Sequence, residues 1–346
     1  MSNQPLVCIC IPNYNNEKTI GETLDSLVVQ TYKNIIIKIF DNASTDSSME
    51  IIKKYESRYL NIQVFQNEIN LGAEENFNRC IQNLEGEFGA LYHSDDIYEP
   101  TIIEEQVNFL LKNKECIAVS TDMNLIDEDG NKLQKKSMKE FFLNMDSVII
   151  DNQIQMLKKI LEIGNFIVCP TVMIKTDIYK NKIKMYNIRE FKTAADLELW
   201  FRACEYGKFG TILKPLINYR RSSNSYTFRT KLNTEKSDGV YVLDYYYDKL
   251  NYNLTKAYKR KYKFFCLKDE ISKTVNQILT DKRDCRFKLK IFEFDVLREA
   301  FISKKNFQFF IVGIVVKFLR YFKLPYFLRE RLINLRFKKQ TLKYPR

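Results

Sequence analysis

Short apolar runs alternate with amphipathic segments over the first 120 residues of the chain. Five of these runs have the length and composition of buried strands, and they span residues 6–11, 35–40, 62–65, 88–92 and 116–120. The segments between them have helical spacing, and Ser47 with Glu50 fits a capping box at the start of one helix. Because apolar strands that alternate with helices are typical of doubly wound folds, the pattern predicts an α/β domain with a mostly parallel sheet flanked by helices.

The pattern becomes less regular in the rest of the chain. Residues 128–134 predict a hairpin turn, and residues 193–207 predict a helix with one apolar stripe. The polar stretch 220–239 then precedes a region in which Tyr, Lys and Leu recur at helical spacing. We therefore predict an α/β domain over residues 1–225 and a helical C-terminal appendage over residues 226–346.

The positive charge of the chain is concentrated at its C-terminal end. Residues 301–346 contain 12 Lys and Arg and a single acid, Glu330, so this segment carries +11 of the net +12. It also contains the most apolar run, residues 309–316, which is shorter than the roughly 20 apolar residues of a spanning helix. The mixture suits a helix that lies on an anionic membrane surface. The alternative is a helix packed on the α/β domain and followed by a solvated basic end.

Cysteine and histidine usage narrows the chemistry further. The chain has eight cysteines without a C-x-x-C motif and only one histidine, which disfavours a zinc site and indicates reduced core cysteines in the cytosol. The N-terminus has no basic flank followed by a long apolar run, so we expect no signal peptide. No nucleic-acid-binding signature is present, and we expect no nucleic-acid partner. We expect a cytoplasmic protein that is peripheral on the inner face of the cell membrane.

Acidic residues follow two of the predicted strands. Asp41 comes directly after residues 35–40, and His93, Asp95 and Asp96 come directly after residues 88–92. The carboxyl ends of parallel strands meet at one edge of a sheet, where ligands bind. Two adjacent carboxylates repel each other unless a cation lies between them, and oxygen ligands suit Mg²⁺ or Mn²⁺. The sequence therefore predicts a Mn²⁺ or Mg²⁺ site at this edge.

Seven segments together resemble the family 2 glycosyltransferases, which have the GT-A fold. In chain order they are CIPNYNN, FDNASTDSS, NEINLGAEENFNRC, HSDDIYEP, GNFIVCPTVMI, AADLELWFRA and NYRRSSNS. The resemblance implies transfer of a sugar, with inversion, from a nucleotide-diphosphate sugar to an acceptor hydroxyl, with UDP as the family's commonest nucleotide. It implies an acceptor that is a glycan or glycolipid of bacterial surface polysaccharide or lipopolysaccharide synthesis, and the basic tail would fit a lipid-linked acceptor.

The resemblance also implies the residues of the metal site. Asp95 matches the metal ligand of the family, and Asp96 is its near neighbour. The family's Asp-x-Asp motif begins here with His93. This histidine either serves as a metal ligand or phosphate donor, or it only packs locally.

The resemblance implies that Asp196 is the general base, which removes the proton of the acceptor hydroxyl. An acid often precedes the base in the family, and Ala195 stands at that position here. The alternative for Asp196 is a first-turn acid that the helix dipole favours.

The donor-binding residues also follow from the resemblance. They are Pro12, Asn13, Tyr14, Asp41, Asn70, Gly72, Arg79, Asp96 and Arg220. Asp41 matches the contact to nucleobase and ribose, although a turn residue is the alternative. Arg79 and Arg220 are candidates for the diphosphate, although solvated basic residues are common in helices and loops. A family histidine near the phosphates is replaced by Ser222 or its neighbours.

Three other functions fit the sequence less well. A sugar-phosphate nucleotidyltransferase needs a glycine-rich basic loop after the first strand, which IPNYNNEKTI does not provide. A glycosidase needs two carboxylates several ångströms apart around a sugar, whereas Asp95 and Asp96 are adjacent. A degenerate nucleotide-sugar-binding protein or scaffold of a glycan assembly complex is supported only by the departures at His93 and Ser222.

Overall fold

The computed structural model of the chain describes residues 4–143, 145–221, 232–282 and 287–341. The chain folds into two compact units. The first comprises Met1–Gln153 and Phe166–Ser222, and the second comprises Ile154–Asn165 and Ser223–Arg346. Ser222 and the boundary predicted after residue 225 lie outside the described residues.

The first unit is built on a ten-stranded sheet among the residues that the structure describes. Its strands are β1 Val7–Asn13, β2 Ile35–Asp41, β3 Ile62–Gln66, β4 Phe88–Leu91, β5 Ile97–Tyr98, β6 Cys116–Ile126, β7 Lys132–Leu133, β8 Ser147–Ile150, β9 Met173–Lys175 and β10 Lys208–Arg220. Their order is β3-β2-β1-β4-β9-β6-β10-β5, with β7 paired to β6 and β8 paired to β10.

The two halves of this sheet differ in strand direction. β3, β2, β1 and β4 are parallel, which confirms the doubly wound pattern of the first 120 residues. β9 then runs antiparallel between β4 and β6, while β6 and β10 are parallel to each other. β6 and β7 form the hairpin that residues 128–134 predicted. The α/β class is thus confirmed, with a mixed second half of the sheet.

Seven α-helices precede β10 in the described part of the chain. They are α1 Ile20–Val28, α2 Ser48–Glu56, α3 Gly72–Gln82, α4 Ile102–Lys112, α5 Gln153–Ile163, α6 Ile188–Phe191 and α7 Ala195–Ala203, of which α5 belongs almost entirely to the second unit. The predicted capping box of α2 is wrong, because the Ser47 side chain makes no capping hydrogen bond. Instead, the Ser47 N–H donates to Glu17 at 2.9 Å, and Glu50 pairs with Lys54 at 2.8 Å.

The core of the first unit is apolar and contains reduced thiols. Every residue of β1 is buried, as expected for a central parallel strand. Cys8 and Cys10 lie on one face of this strand with their sulfur atoms 3.9 Å apart, and both are free. Cys285 lies outside the described residues.

The second unit is helical and has its own hydrophobic core. Its further helices are α8 Asp238–Leu250, α9 Lys256–Thr280, α10 Phe294–Ala300, α11 Lys304–Leu319 and α12 Tyr326–Thr341. Buried apolar residues of α9, α10, α11 and the segment before α10 pack together, among them Phe264, Ile271 and Phe310. None of the described helices is long and apolar enough to cross a bilayer.

Candidate active site

The loop after β1 joins the two acidic positions that the sequence singled out. Asn13 and Asp41 are the last paired residues of β1 and β2, and their side chains hydrogen-bond at 2.8 Å. Three residues later, Asn16 donates to Ser94 Oγ at 2.6 Å. Ser94 belongs to the turn that carries His93, Asp95 and Asp96. The predicted candidates therefore meet at one edge of the sheet.

Asp41 is fully buried and rigidly held. Its Oδ1 accepts from Asn13 at 2.8 Å and from the Ser44 hydroxyl at 2.5 Å, and its Oδ2 accepts from the Ser44 N–H at 2.9 Å. Asn13 Oδ1 is buried and has no partner among the described residues. Buried acceptors of this kind are normally satisfied, so a ligand donor would complete this one. Tyr14, the next residue, is 44% exposed at the same edge.

Asn42 organises the loop before α3, and sequence analysis missed it. Its amide donates to Asn70 Oδ1 at 2.8 Å and to the Gly72 carbonyl at 3.2 Å. Its Oδ1 accepts from Asn67 at 2.8 Å and from the Leu71 N–H at 2.9 Å. Both predicted loop residues, Asn70 and Gly72, are therefore positioned by Asn42. The position of Asn42 beside Asp41, at a strand end, was the available signal.

Arg79 lies on the Asp41 side of the edge. Its guanidinium stacks over the Phe40 ring, 5.2 Å from the centroid, and donates to Asn67 Oδ1. Asn76, one turn earlier on α3, donates to the Phe40 carbonyl at 2.9 Å. α3 is thus tied to the end of β2, and the phosphate contact of Arg79 stays a prediction.

The turn after β4 has the composition and spacing of a cation site. One ligand atom from each of His93, Asp95 and Asp96 lies within 4.8 Å of the others. His93 Nε2 and Asp96 Oδ2 are buried and have no hydrogen-bond partner in the described part of the chain. Burial raises the pKa of Asp96 well above its usual value, with a further rise from Asp95, and burial lowers the pKa of His93. Asp96 Oδ2 lies 3.8 Å from His93 Nδ1, and a divalent cation there would satisfy this oxygen and stabilise the carboxylate and the neutral imidazole, so these residues fit one.

Arg220, at the end of β10, holds this turn in place. Its N–H donates to Asp96 Oδ1 at 2.8 Å, and its Nε donates to the Asp95 carbonyl at 2.9 Å. The guanidinium also donates to the Glu128 carbonyl at 2.9 Å and to the Glu22 carboxylate. The side chain is only 4% exposed. These bonds favour a positioning role for Arg220 over the diphosphate contact, which stays a prediction.

Asp196 lies in the first turn of α7, as the sequence pattern predicted. Its Oδ1 accepts from the Leu197 N–H at 2.7 Å. Burial raises its pKa to about 6. A carboxylate with that pKa is mostly ionised at neutral pH and is a stronger base than an exposed Asp, so its environment suits general-base chemistry.

Three residues that sequence analysis did not assign, Cys169, Tyr186 and Phe77, form a row of contacts that ends at His93 of the acidic turn. Burial raises the pKa of the Cys169 thiol, and the charges of Asp196 and Asp96 raise it further. Cys169 Sγ lies 3.8 Å from the Tyr186 hydroxyl. Phe77 contacts the edges of Tyr186 and His93, with centroids 5.4 Å and 6.0 Å apart. Cys169 lies within the segment GNFIVCPTVMI, which was its only signal.

The sequence of the chain is similar to those of known proteins. The family described as Glycosyl transferase family 2 matches residues 8–181, half of the chain. EpsE of Bacillus subtilis, named as a glycosyltransferase, is 27% identical over 246 residues, which cover 70% of this chain and 82% of EpsE. TuaG of the same organism, named as a teichuronic acid biosynthesis glycosyltransferase, is 29% identical over 224 residues, which cover 64% of this chain and 81% of TuaG.

Solved structures share the fold. S. aureus TarS 1–349 superposes with a TM-score of 0.53 at 18% identity, covering 91% of this chain and 80% of TarS 1–349. The same protein in complex with UDP-GlcNAc gives a TM-score of 0.52 at 17% identity, covering 80% and 87% of the two chains. At this identity the superposition supports the fold, and the sequence match supplies the family. The chain therefore belongs to glycosyltransferase family 2 and has its GT-A fold.

Proposed function

We propose that the protein transfers a sugar, with inversion, from a UDP-linked donor to a hydroxyl of a glycan or lipid-linked acceptor in surface polysaccharide or lipopolysaccharide synthesis. The observation that carries the proposal is the single sheet edge with a held carboxylate at Asp41 and a cation-type cluster at His93, Asp95 and Asp96. TuaG is named for teichuronic acid biosynthesis, and TarS has been crystallised with UDP-GlcNAc and with UDP.

The nucleoside is assigned to the Asp41 side of the edge. The Asp41 carboxylate accepts hydrogen bonds, and a base N–H or a ribose hydroxyl supplies donors. Asn13 Oδ1 offers a second buried acceptor. Pro12 and Tyr14 line the base, with Tyr14 exposed enough to stack on it. Asn70 and Gly72 complete this side through the loop that Asn42 orders.

The diphosphate is assigned to the acidic turn. Asp95 and His93 would hold Mn²⁺ or Mg²⁺, with Asp96 beside them. When bound, the cation neutralises charge on the departing UDP. Arg220 keeps the turn in place through the Asp95 carbonyl and Asp96 Oδ1. Arg79 is the candidate cation from the α3 side.

Asp196 is assigned as the general base. The acceptor oxygen attacks the anomeric carbon from the face opposite the diphosphate, while the bond to the diphosphate oxygen breaks. Asp196 takes the hydroxyl proton as the new bond forms, and UDP leaves with the bonding electron pair. One displacement inverts the anomeric centre. The enzyme acts at the inner face of the membrane, to which its basic C-terminal segment is attracted.

A nucleotide-binding panel tests the donor assignment. Thermal shifts would be measured with UDP, GDP, CMP and dTDP, each with and without Mn²⁺, for the natural chain and for Asp95→Ala. We expect UDP to raise the thermal midpoint of the natural chain, and Mn²⁺ to raise it further. In Asp95→Ala we expect only the additional rise with Mn²⁺ to be lost. Stabilisation by a different nucleotide would overturn the UDP assignment. Binding with no turnover on any acceptor would favour the degenerate binding protein.

A further inference from the structure

α11 presents two apolar faces, and only one of them is covered by the described residues. Phe310, Gly313 and Val316 are buried in the core of the second unit. A Cβ at Gly313 would lie 2.7 Å from Ile271 Cδ1, so α11 approaches α9 closely there. The other side of the helix is here called the outer face. It consists of Ile311, Val312, Val315, Phe318 and Leu319, which are 36% to 62% exposed.

The outer face is a continuous helical stripe. Ile311, Val315 and Phe318 follow one another at intervals of four and three residues, the spacing that keeps side chains on one side of a helix. A helix that is apolar on all sides is normally covered on all sides. A contiguous exposed apolar patch of this kind marks an interaction surface.

Aromatic and aliphatic side chains are also exposed in the segments just before and just after α11. At its N-terminal end, Phe301 and Ile302 are 68% and 61% exposed in the turn after α10. At its C-terminal end, Tyr326 and Phe327 are 67% and 69% exposed at the start of α12. Aromatic residues with a polar edge favour the boundary between lipid and water.

The charges around the patch identify its partner. Lys304 and Lys305 stand at one end of α11, and Lys323, which is 76% exposed and lies 3.9 Å from Asp281, stands just beyond the other. The segment 301–346 has a net charge of +11, with Glu330 as its only acid. Two copies of so basic a surface repel each other, which disfavours self-association. Apolar residues flanked by Lys and Arg suit an anionic bilayer, because the apolar side chains can enter the acyl boundary while the basic side chains contact the phosphates.

The length of α11 fixes how it meets that bilayer. Its 16 residues span about 24 Å, less than the roughly 30 Å of a hydrocarbon core. Its other face is also committed to the protein core. We propose that the outer face of α11, with the flanking lysines, is the surface by which the enzyme docks in the interface of an anionic membrane. This inference deepens the membrane part of the proposed function and rests on it.

Vesicle binding by the full chain tests the surface. Co-sedimentation would compare phosphatidylcholine vesicles with vesicles that also contain phosphatidylglycerol. The test variant is Val315→Ser with Phe318→Ser. The matched control is Leu60→Ser with Leu111→Ser, which removes two exposed apolar side chains from the first unit. Equal thermal midpoints and equal UDP binding would show that both variants are folded.

We expect binding to the anionic vesicles that the test variant weakens at least about tenfold and the control leaves unchanged. Lys304→Glu with Lys305→Glu should weaken binding to anionic vesicles and leave the weak binding to phosphatidylcholine unaltered. Equal vesicle binding by the natural chain and the test variant would overturn the proposal. A second result would also overturn it. The natural chain would fail to bind vesicles and would form a dimer, detected by sedimentation velocity, that the test variant does not form. Because binding is measured without turnover, Asp95→Ala should bind vesicles normally even if the donor assignment fails.

Discussion

The Arg220 Nε donates to the Asp95 carbonyl over 2.9 Å, so the last strand of the sheet holds the turn that carries the metal-site candidates. The same guanidinium contacts the Glu128 carbonyl and the Glu22 carboxylate, which belong to the β6–β7 hairpin and to α1. The Arg220 side chain therefore connects the acidic turn with the β6–β7 hairpin and with α1. The site depends on this support as well as on the ligands themselves.

Arg220→Lys should weaken metal-dependent steps more than metal-independent donor binding. Lysine keeps the charge but cannot form the several directed bonds of the guanidinium. We expect about tenfold weaker apparent Mn²⁺ affinity and a free energy of unfolding lower by ~2–4 kcal/mol. Titration of Mn²⁺ at saturating UDP measures the first, and urea denaturation measures the second. Lys214→Ala, on the same strand but in an exposed ion pair, should change neither. Unaltered Mn²⁺ dependence in Arg220→Lys would refute the positioning role.

His93→Ala separates its two possible roles. If the His93 imidazole completes a cation site, the substitution should weaken Mn²⁺ binding by about tenfold or more and leave metal-free UDP binding intact. If His93 only packs against Phe77, the variant should lose stability and keep its Mn²⁺ affinity. Mn²⁺ binding followed by electron paramagnetic resonance distinguishes the two outcomes.

Asn42→Ala should damage the nucleoside side of the edge. It removes the partner of Asn67, Asn70, the Leu71 N–H and the Gly72 carbonyl, so four polar groups lose a hydrogen bond at once. We expect a loss of ~2–4 kcal/mol in the free energy of unfolding and weaker UDP binding with and without Mn²⁺. Asn113→Ala, which removes one hydrogen bond from a side-chain amide to the Phe109 carbonyl, is the matched control. Full UDP affinity in Asn42→Ala would contradict the proposed role of this loop.

The raised pKa of Asp196 predicts how activity depends on pH and how the stability of Asp196→Asn differs from that of the natural chain. The base must be ionised, so kcat/KM should fall as pH drops through about 6. Because burial raises this pKa above that of the unfolded chain, the natural protein loses stability as pH rises from about 4 through 6. Asp196→Asn should therefore be the more stable protein at pH 8, by up to ~3 kcal/mol, and the difference should vanish below pH 4. Thermal midpoints across this pH range check the sign.

The fold and the shared edge could be predicted because they depend on local pattern. Periodicity located β1 to β4, and the position of Asp41 and Asp95 after strands placed them at one edge. The Ser47 capping box could not be judged locally, because Glu17 competes for the Ser47 N–H across 30 residues. Residues 154–165 joined the second unit through contacts such as the 2.5 Å bond from Tyr258 to Glu162, which no local pattern encodes.

The support of the site was hidden for the same reason. Arg220 reaches Glu22 across 198 residues and Asp95 across 125, so its sequence context suggested a diphosphate contact or a basic loop and gave no sign of a positioning role. Cys169 and Tyr186 carry no charge to mark them, and they reach the acidic turn only by packing through Phe77 on His93. The sequence pattern located acidic residues at strand ends, but it did not reveal the long-range hydrogen bonds that hold them in place.

The most direct test of the proposed mechanism compares Asp196→Asn with the natural chain in two measurements on the same sample. UDP binding in the presence of Mn²⁺ reports the donor site, and UDP release from a panel of UDP-linked sugars, with membrane glycolipids as acceptors, reports transfer. We expect equal UDP binding and a loss of transfer of about 10²-fold to 10⁴-fold, the usual contribution of a general base. Transfer by Asp196→Asn at the natural rate would contradict the assignment of the base and, with it, the mechanism proposed for this site.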